Sequence, residues 1–270
     1  MNSLESKKGF NSTNLKIIAL ILMLLDHIQY FLGPALNIPI WFRWLGRISA
    51  PLFIFTLVEG INHTHNKYLY MLRLYISFLF MGIFNIIVAN KFPSLNNLSL
   101  SNNIFGTLFL IAYYTYCIRN ITDNSGRTPT YKKILSIILF IIPFASSYIA
   151  NVLSDTSVSK VIVTIIPSIF YVEGSIDFVI LGVFMALLSH DRSKQLLFYV
   201  VFSSLLMFVA IADGGFNFTN LFMLRFQWLM IFAVVPMHFY NNQKGKGYKY
   251  LFYVFYPLHI YILYILSTLI

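Results

Sequence analysis

Long apolar stretches alternate with short polar connections along almost the entire chain. The apolar stretches fall near residues 15–32, 41–61, 69–90, 104–118, 132–150, 161–172, 176–189, 195–212, 219–239 and 250–270. A helix needs about 20 apolar residues to cross the hydrocarbon core of a bilayer, and most of these stretches approach that length. The pattern therefore predicts an all-α fold, a polytopic integral membrane helical bundle with 9–10 transmembrane segments.

Two neighbouring stretches, 161–172 and 176–189, are individually short for a membrane crossing. Polar residues interrupt them at 173–177, where backbone exposed to lipid would lack hydrogen-bond partners. The pattern predicts a broken or short helix pair at 161–189, either as two short helices or as one interrupted segment that lines a cavity. Because no internal repeat or soluble domain is visible, we predict a cytoplasmic N-terminal tail at 1–14 and a single membrane-embedded domain at 15–270.

The composition agrees with a membrane protein, since 58% of the residues are hydrophobic and only 10% are charged. The net charge is +10, but the Lys and Arg residues lie mainly in the short connections. This distribution follows the positive-inside rule, so no nucleic-acid partner is predicted. Nine crossings place most of the cationic residues on one side of the membrane, whereas ten full crossings divide them almost evenly. We therefore prefer nine crossings with a cytoplasmic N-terminus.

An ionisable pair, Asp26 and His27, lies deep inside the first apolar stretch. An Asp at the centre of a membrane helix costs roughly 2.5–3.5 kcal/mol on insertion scales, so such a pair predicts a functional site. Lys16 precedes His27 by eleven residues, a spacing that returns to nearly the same helix face about 16 Å along the axis. We predict that His27 acts as a general base oriented by Asp26. A buried His that only hydrogen-bonds a neighbouring helix is the structural alternative.

The second apolar stretch carries Arg43 and Arg47 four residues apart, on one face of a helix. Arg47 lies at roughly the depth of Asp26, where it can form an ion pair with that carboxylate or bind an anionic group. Arg43, beside two tryptophans, fits an interfacial anchor. Glu59 near the cytoplasmic end of this stretch and His259 in the last stretch are further candidates, and for His259 an interhelical hydrogen bond is equally plausible.

Lys67 and Arg73 are predicted to form a basic cytoplasmic rim together with Lys16. Such a rim suits the phosphates of a donor substrate and equally suits anionic lipid headgroups. His63 and His65 lie too close together and have no matching ligands nearby, so no metal site is predicted.

Four motifs resemble those of a known family. They are KxxALxLMxxDHI from Lys16 to Ile28, FRxLGRIxxPLFxFxLVEG from Phe42 to Gly60, HTxN with a later RL in residues 63–74, and YNxxxGxxxKYxFYxFYPLHI from Tyr240 to Ile260. Together they resemble the TraX family of conjugal-transfer membrane proteins, and the resemblance covers nearly the whole chain. The resemblance implies an activity of the kind named for that family, N-acetylation of pilin.

The TraX family is similar to the wider acyltransferase type three group of multi-span enzymes, which use cytoplasmic acyl-CoA. In that group a basic residue and a His share the first helix at a spacing like that of Lys16 and His27, and an Arg pair begins the third helix. Arg73 matches this pair only in part. The chain also departs from the group by having Lys at the first basic position and Glu59-Gly60 in place of Ser-Gly.

These observations predict an integral membrane acyltransferase in the inner (cytoplasmic) membrane of a bacterial cell. It would move an acetyl group from cytoplasmic acetyl-CoA to a hydroxyl or amine of a peptide such as pilin, or of a cell-envelope glycan. The predicted partners are therefore acyl-CoA, the lipid bilayer and this acceptor. The predicted catalytic residues are His27, Asp26 and Arg47, and the predicted donor-binding residues are Lys16, Lys67 and Arg73.

The alternative from a different class is a proton-coupled small-solute transporter or flippase. Asp26, His27 and Arg47 would then form a proton relay, and the interrupted segment at 161–189 would line the substrate site. A third possibility is a non-catalytic subunit for pilus or envelope assembly, which leaves the buried charges unexplained.

Overall fold

The computed structural model describes residues 9–94, 98–154 and 156–269, so the first eight residues of the predicted tail at 1–14 lie outside it. In chain order the helices are α1 (Ser12–Leu36), α2 (Trp41–Gly46), α3 (Ser49–His63), α4 (Lys67–Lys91), α5 (Ile104–Ile121), α6 (Thr130–Val152), α7 (Ser157–Ile165), α8 (Ser175–Leu187), α9 (Arg192–Gly214), a π-helix (Thr219–Leu224), a 3₁₀ helix (Phe226–Ala233), α10 (Val234–His238) and α11 (Lys249–Ser267). The described residues contain no β-strand, which confirms the predicted all-α fold.

Polar residues mark the ends of several helices. The side chains of Asn11, Asn66 and Asp191 accept hydrogen bonds from backbone N–H groups in the first turns of α1, α4 and α9, at 2.9–3.1 Å. Such caps satisfy donors that have no partner within the helix. Asn37 ends α1 in the left-handed conformation, with φ 52°, a conformation that Asn tolerates better than most residues.

Seven helical segments in the described part of the chain are long and apolar enough to cross a bilayer. They are α1, Trp41–His63, α4, α5, α6, α9 and Tyr250–Ser267. Two shorter apolar helices are Ser175–Leu187 and Phe226–His238. The prediction of a polytopic helical bundle is therefore confirmed, although only seven of its nine to ten predicted segments reach spanning length as helices.

The interruption predicted at 161–189 is present, but its bounds differ from the prediction. Helix α7 ends at Ile165, and residues 166–174 are non-helical until α8 begins at Ser175. Pro167 explains the break, because proline lacks a backbone N–H and disfavours helical geometry in the residue before it. Ile166 is indeed extended, with φ −109° and ψ 113°. The 161–172 stretch is therefore only partly helical.

The stretch at 219–239 is predicted as one span, and the structure corrects this. The π-helix ends at Leu224 and the 3₁₀ helix begins at Phe226, so Arg225 separates two helical pieces. Its guanidinium forms an ion pair with Asp213, at 2.5 Å between Nη1 and Oδ2. The mean hydropathy of this stretch does not reveal the single cation. The helical segment after it, Phe226–His238, is short.

The contacts divide the chain into two compact units. Unit 1 contains the residues up to Thr56 and from Asp191 onward, and unit 2 contains Leu57–His190. In unit 1, α1 packs against α2 and α11, while α9 packs against the π-helix and the 3₁₀ helix. In unit 2, α5 contacts α4, α6 and α8, and its buried residues include Leu110 and Tyr114 in an apolar cluster. The single membrane domain predicted at 15–270 stays a prediction.

Within unit 1, the start of the chain is tied to the loop before α11. The backbone N–H of Phe10 donates to the carbonyl of Phe239 at 2.8 Å, and that of Asn241 donates to the carbonyl of Phe10 at 2.9 Å. Segments joined in this way lie on the same side of a bilayer, so an even number of crossings separates them. The number of full crossings, nine or ten, stays a prediction.

Candidate functional site

The candidate site lies in unit 1, where α1 carries Asp26 and His27. Consecutive residues of a helix point about 100° apart, so the two side chains reach different neighbours. Asp26 reaches the arginines of the Trp41–His63 segment, whereas His27 reaches α11. The sequence predicts that Asp26 orients His27, but the structure brings His259 to the His27 ring instead.

Asp26 forms the centre of a charged cluster. Its Oδ1 lies 2.6 Å from Nη2 of Arg47 and 3.6 Å from Nε of Arg43. The side chains of Asp26 and Arg47 are only 15% and 19% exposed. Arg47 also donates from Nη1 to Oε1 of Gln227 at 3.1 Å. The ion pair that the sequence allows is thus present, and Arg43, interpreted as an interfacial anchor, turns toward the same carboxylate.

Glycine is required beside this cluster. A Cβ added at Gly46 would overlap the Cβ and the carboxylate of Asp26. A side chain at position 46 would therefore push Asp26 away from Arg47. The aromatic ring of Phe226 lies 5.5 Å from the guanidinium carbons of both arginines and covers the cluster from the 3₁₀ helix.

A second polar pair, His27 and His259, lies beside the charged cluster. His27 is 3% exposed and His259 is 6% exposed. The Nδ1 of His27 lies 2.8 Å from the Nε2 of His259, and the Nδ1 of His259 lies 2.7 Å from the carbonyl oxygen of Phe255.

The hydrogen bonds of this pair determine where the protons are. A carbonyl oxygen can only accept, so Nδ1 of His259 must carry a proton. In the neutral ring its Nε2 is then an acceptor, and the Nδ1 of His27 must donate to it. The neutral His27 ring therefore holds its lone pair on Nε2. This is the tautomer that a general base requires, with the other nitrogen fixed by a hydrogen bond.

The basic residues predicted to bind the donor are divided between the two units. Lys16 lies on α1 in unit 1, with its Nζ 5.6 Å from the centre of the Phe252 ring. Lys67 and Arg73 belong to α4 in unit 2. They are six residues apart, which places them about 120° apart around the helix. Lys67 lines a cavity in unit 2 between α3, α4 and α5, and Arg73 is not among its lining residues.

Glu59 also belongs to unit 2 and is buried, with 6% of its surface exposed. Its backbone carbonyl lies 2.8 Å from the Nδ1 of His63, which is the last residue of α3. The sequence interpretation missed Gln227, which accepts a hydrogen bond from Arg47, and Arg119, which lines a cavity in unit 2. Gln227 is a polar residue inside an apolar stretch, which is a usable clue, whereas Arg119 resembles an ordinary cation at a helix end.

Comparisons with known proteins agree with the motifs. The TraX protein family matches residues 11–267. A protein described as a probable fimbrial assembly protein FimC, serogroup H1, from Dichelobacter nodosus is 30% identical over 269 residues, which cover 94% of each chain. No solved structure matches the chain. Since the family match includes the Asp26–Arg47 cluster and both histidines, and extends over almost every described residue, the chain belongs to the TraX family.

Proposed function

We propose that this chain is a membrane acyltransferase that moves an acetyl group from acetyl-CoA to an amine or hydroxyl. The observation that carries the proposal is the buried series formed by the Phe255 carbonyl, His259 and His27, which makes Nε2 the acceptor nitrogen of the neutral His27 ring. The name of the Dichelobacter nodosus relative refers to fimbrial assembly, which favours pilin or another envelope component as the acceptor. We propose that it works in the bacterial inner membrane with its N-terminus in the cytoplasm.

In the proposed reaction, the acceptor nitrogen or oxygen attacks the thioester carbonyl carbon. A C–N or C–O bond forms and the C–S bond breaks. His27 Nε2 takes the acceptor's proton and then delivers it to the departing thiolate, so the enzyme ends in its starting state. General base catalysis of this kind contributes about 10²–10⁴-fold in rate. His259 is proposed as the residue that positions the His27 ring, because its Nε2 accepts a hydrogen bond from the Nδ1–H of His27 during the whole proposed reaction.

The arginine cluster is proposed to stabilise the negative charge that develops on the thioester oxygen. Arg47 is held by Asp26 and Gln227, so its position is set before the substrate arrives. The Nε of Arg43 is buried and has no hydrogen-bond partner in the described part of the chain. This N–H faces the Asp26 carboxylate at 3.6 Å, which is too long for a hydrogen bond, so we propose that Arg43 acts on the cluster through its charge.

Lys16 is proposed to attract the phosphates of the donor. It lies about 16 Å from His27 along α1, a distance that the long pantetheine arm of coenzyme A can bridge. Lys67 and Arg73 lie in unit 2, and their role in donor binding stays a prediction. Bound acetyl-CoA would supply an activated acetyl thioester, and the residues of this chain would bind, orient and deprotonate the reactants.

The test uses inverted membrane vesicles that contain the chain, incubated with acetyl-CoA labelled in the acetyl group. Label should enter a membrane or envelope component, and His27→Ala should reduce this transfer by about 10²–10⁴-fold. His238→Ala is the matched control, since His238 is exposed at the end of α10. If His27→Ala vesicles transfer label as fast as the control, the proposed role of His27 is wrong. If no labelled product forms with the unaltered chain, a proton-coupled transporter becomes the better explanation.

A further inference from the structure

Unit 2 contains a cavity at the level where three long apolar helices end or begin. It lies between the end of α3, the start of α4 and the last turns of α5, and its volume is about 80 Å³. All three helices belong to segments long and apolar enough to cross a bilayer. The cavity is therefore at the boundary between the hydrocarbon core and the headgroup layer. Because about 10–15 Å³ is enough for one water molecule, it admits a group of several atoms, such as a phosphate.

The lining of this cavity combines cationic and apolar side chains. Its cations are Lys67 and Arg119, and its apolar residues include Ile61, Met71 and Ala112. Among the described residues that line it, none is a carboxylate. The cavity is thus positively charged and has an apolar side, a combination that suits a phosphate joined to hydrocarbon.

Arg119 is held in place without being neutralised. Its Nη2 donates to the Oδ1 of Asn62 at 2.9 Å and to the carbonyl of Ala186 at 3.1 Å. Both acceptors are neutral, and Arg119 forms no ion pair within residues 9–94, 98–154 and 156–269. Within the same ranges the N–H groups on Nε and Nη1 form no hydrogen bond. Together they present the fork geometry that binds phosphate oxygens.

Lys67 adds a second positive charge from another helix. It is the first residue of α4 and is exposed, so its ammonium group is accessible to a ligand from outside the protein. In the part of the chain that the structure describes, it forms no ion pair with a carboxylate. Two cations that line one cavity repel each other, and an anionic group between them replaces this repulsion with attraction.

We propose that this cavity binds the phosphate of an anionic membrane lipid, with Arg119 and Lys67 as the residues that contact it. Basic pockets between transmembrane helices bind headgroups of this kind. The apolar side of the cavity favours a lipid over free inorganic phosphate, which has no apolar part. A zwitterionic headgroup fits less well, because its ammonium group would meet two cations and no carboxylate among the described lining residues.

This lipid site lies entirely in unit 2 and is independent of the proposed acyl transfer, whose base and arginines lie in unit 1. It gives Lys67 a ligand other than the donor predicted from the sequence. Arg119, which the sequence interpretation missed, becomes the main phosphate contact.

The test titrates the full chain in detergent with phosphatidylglycerol or phosphatidylcholine and measures bound lipid by native mass spectrometry. The unaltered chain should bind phosphatidylglycerol more tightly than phosphatidylcholine. Arg119→Gln should weaken phosphatidylglycerol binding by about tenfold or more, because hydrogen bonds between charged groups are among the strongest. Lys67→Gln should weaken it about fivefold, the effect of one cation near an anionic headgroup.

Two further features make the variants informative. Arg127→Gln is the matched control, since Arg127 is exposed in the loop after α5 and removing it takes away one cation outside the cavity. Arg119→Gln also removes two internal hydrogen bonds. If that loss prevents folding, Lys67→Gln decides the question, because Lys67 forms no side-chain hydrogen bond or ion pair within the described residues.

Three results would overturn the proposal. Equal binding of phosphatidylglycerol and phosphatidylcholine would show that the site does not select an anionic headgroup. Phosphatidylglycerol binding by Arg119→Gln and Lys67→Gln that is as tight as in Arg127→Gln would place the lipid elsewhere on the protein. Displacement of phosphatidylglycerol by an equal concentration of inorganic phosphate, but not by chloride, would make free phosphate the ligand instead of a lipid.

Discussion

The contact between His27 and His259 leads to a graded prediction for two substitutions at position 259. In the unaltered chain, the Nδ1 of His27 lies 2.8 Å from the Nε2 of His259. A Gln at position 259 keeps one donor for the Phe255 carbonyl and one acceptor for the Nδ1–H of His27. His259→Leu removes both. The two variants therefore separate the hydrogen-bonding role of the side chain from its place in the packing of α11.

The magnitude follows from the hydrogen bond that selects the tautomer. A typical hydrogen bond stabilises its arrangement by about 0.5–1.5 kcal/mol, which corresponds to about 2- to 13-fold. His259→Gln should reduce transfer within that range. In His259→Leu, a buried N–H without an acceptor would cost about 1–3 kcal/mol, so the His27 ring would favour the tautomer protonated on Nε2. Activity should then fall toward that of His27→Ala, about 10²–10⁴-fold below the unaltered chain.

Two measurements check this prediction. Transfer of labelled acetyl groups in inverted vesicles should rank the unaltered chain above His259→Gln and His259→Leu lowest. Nitrogen-15 NMR of histidine-labelled protein in lipid should show His27 and His259 both protonated on Nδ1. Full activity in His259→Leu, or a proton on Nε2 of His27 in the unaltered chain, would refute the proposed base and its orientation.

Two further predictions concern the charged cluster and the topology. Asp26→Asn leaves two arginines uncompensated and should lower the free energy of unfolding by about 3 kcal/mol, at the low end for a buried pair because some exposure remains. In thermal denaturation, the double variant Asp26→Asn/Arg47→Gln should lose less stability than the sum of the two single variants. Additive losses would contradict the pairing. Gly247→Cys in a Cys117→Ala background should react with an impermeant maleimide in inverted vesicles but not in intact cells, since an added Cβ at Gly247 meets nothing within 4 Å. Labelling from outside would reverse the predicted orientation.

The helical membrane fold was predictable from the sequence because the constraint that produces it is local. Every backbone polar group in hydrocarbon must be satisfied within its own helix, so spans appear as apolar runs of defined length. The pairing of Asp26 with Arg47 was also accessible, since both lie at similar depth on consecutive segments. Arg225 shows where the approach fails, because the mean hydropathy of an apolar stretch does not reveal where its helix is interrupted.

The histidine pair and the cavity were not predictable in the same way. His27 and His259 are 232 residues apart, and one sequence does not reveal which helices touch. The prediction of a basic rim formed by Lys16, Lys67 and Arg73 rests on grouping the cations that lie on one side of the membrane. That grouping ignores the direction in which each side chain points around its helix. Lys67 and Arg119 line the same cavity, and Arg73 is not among the residues that line it.

The order of the partners along the chain has a consequence for biosynthesis. Arg47 follows Asp26 by only 21 residues, so at about 5–20 residues per second a ribosome supplies the counter-charge roughly 1–4 s after the aspartate. The partner of His27 is synthesised 232 residues later, after roughly 10–50 s at the same rate. The first helical hairpin can therefore enter the membrane with its charge already compensated, while the histidine pair forms only when the last helix inserts. A nascent chain would thus contain His27 without the partner that sets its tautomer, and the proposed activity would begin only once α11 has inserted.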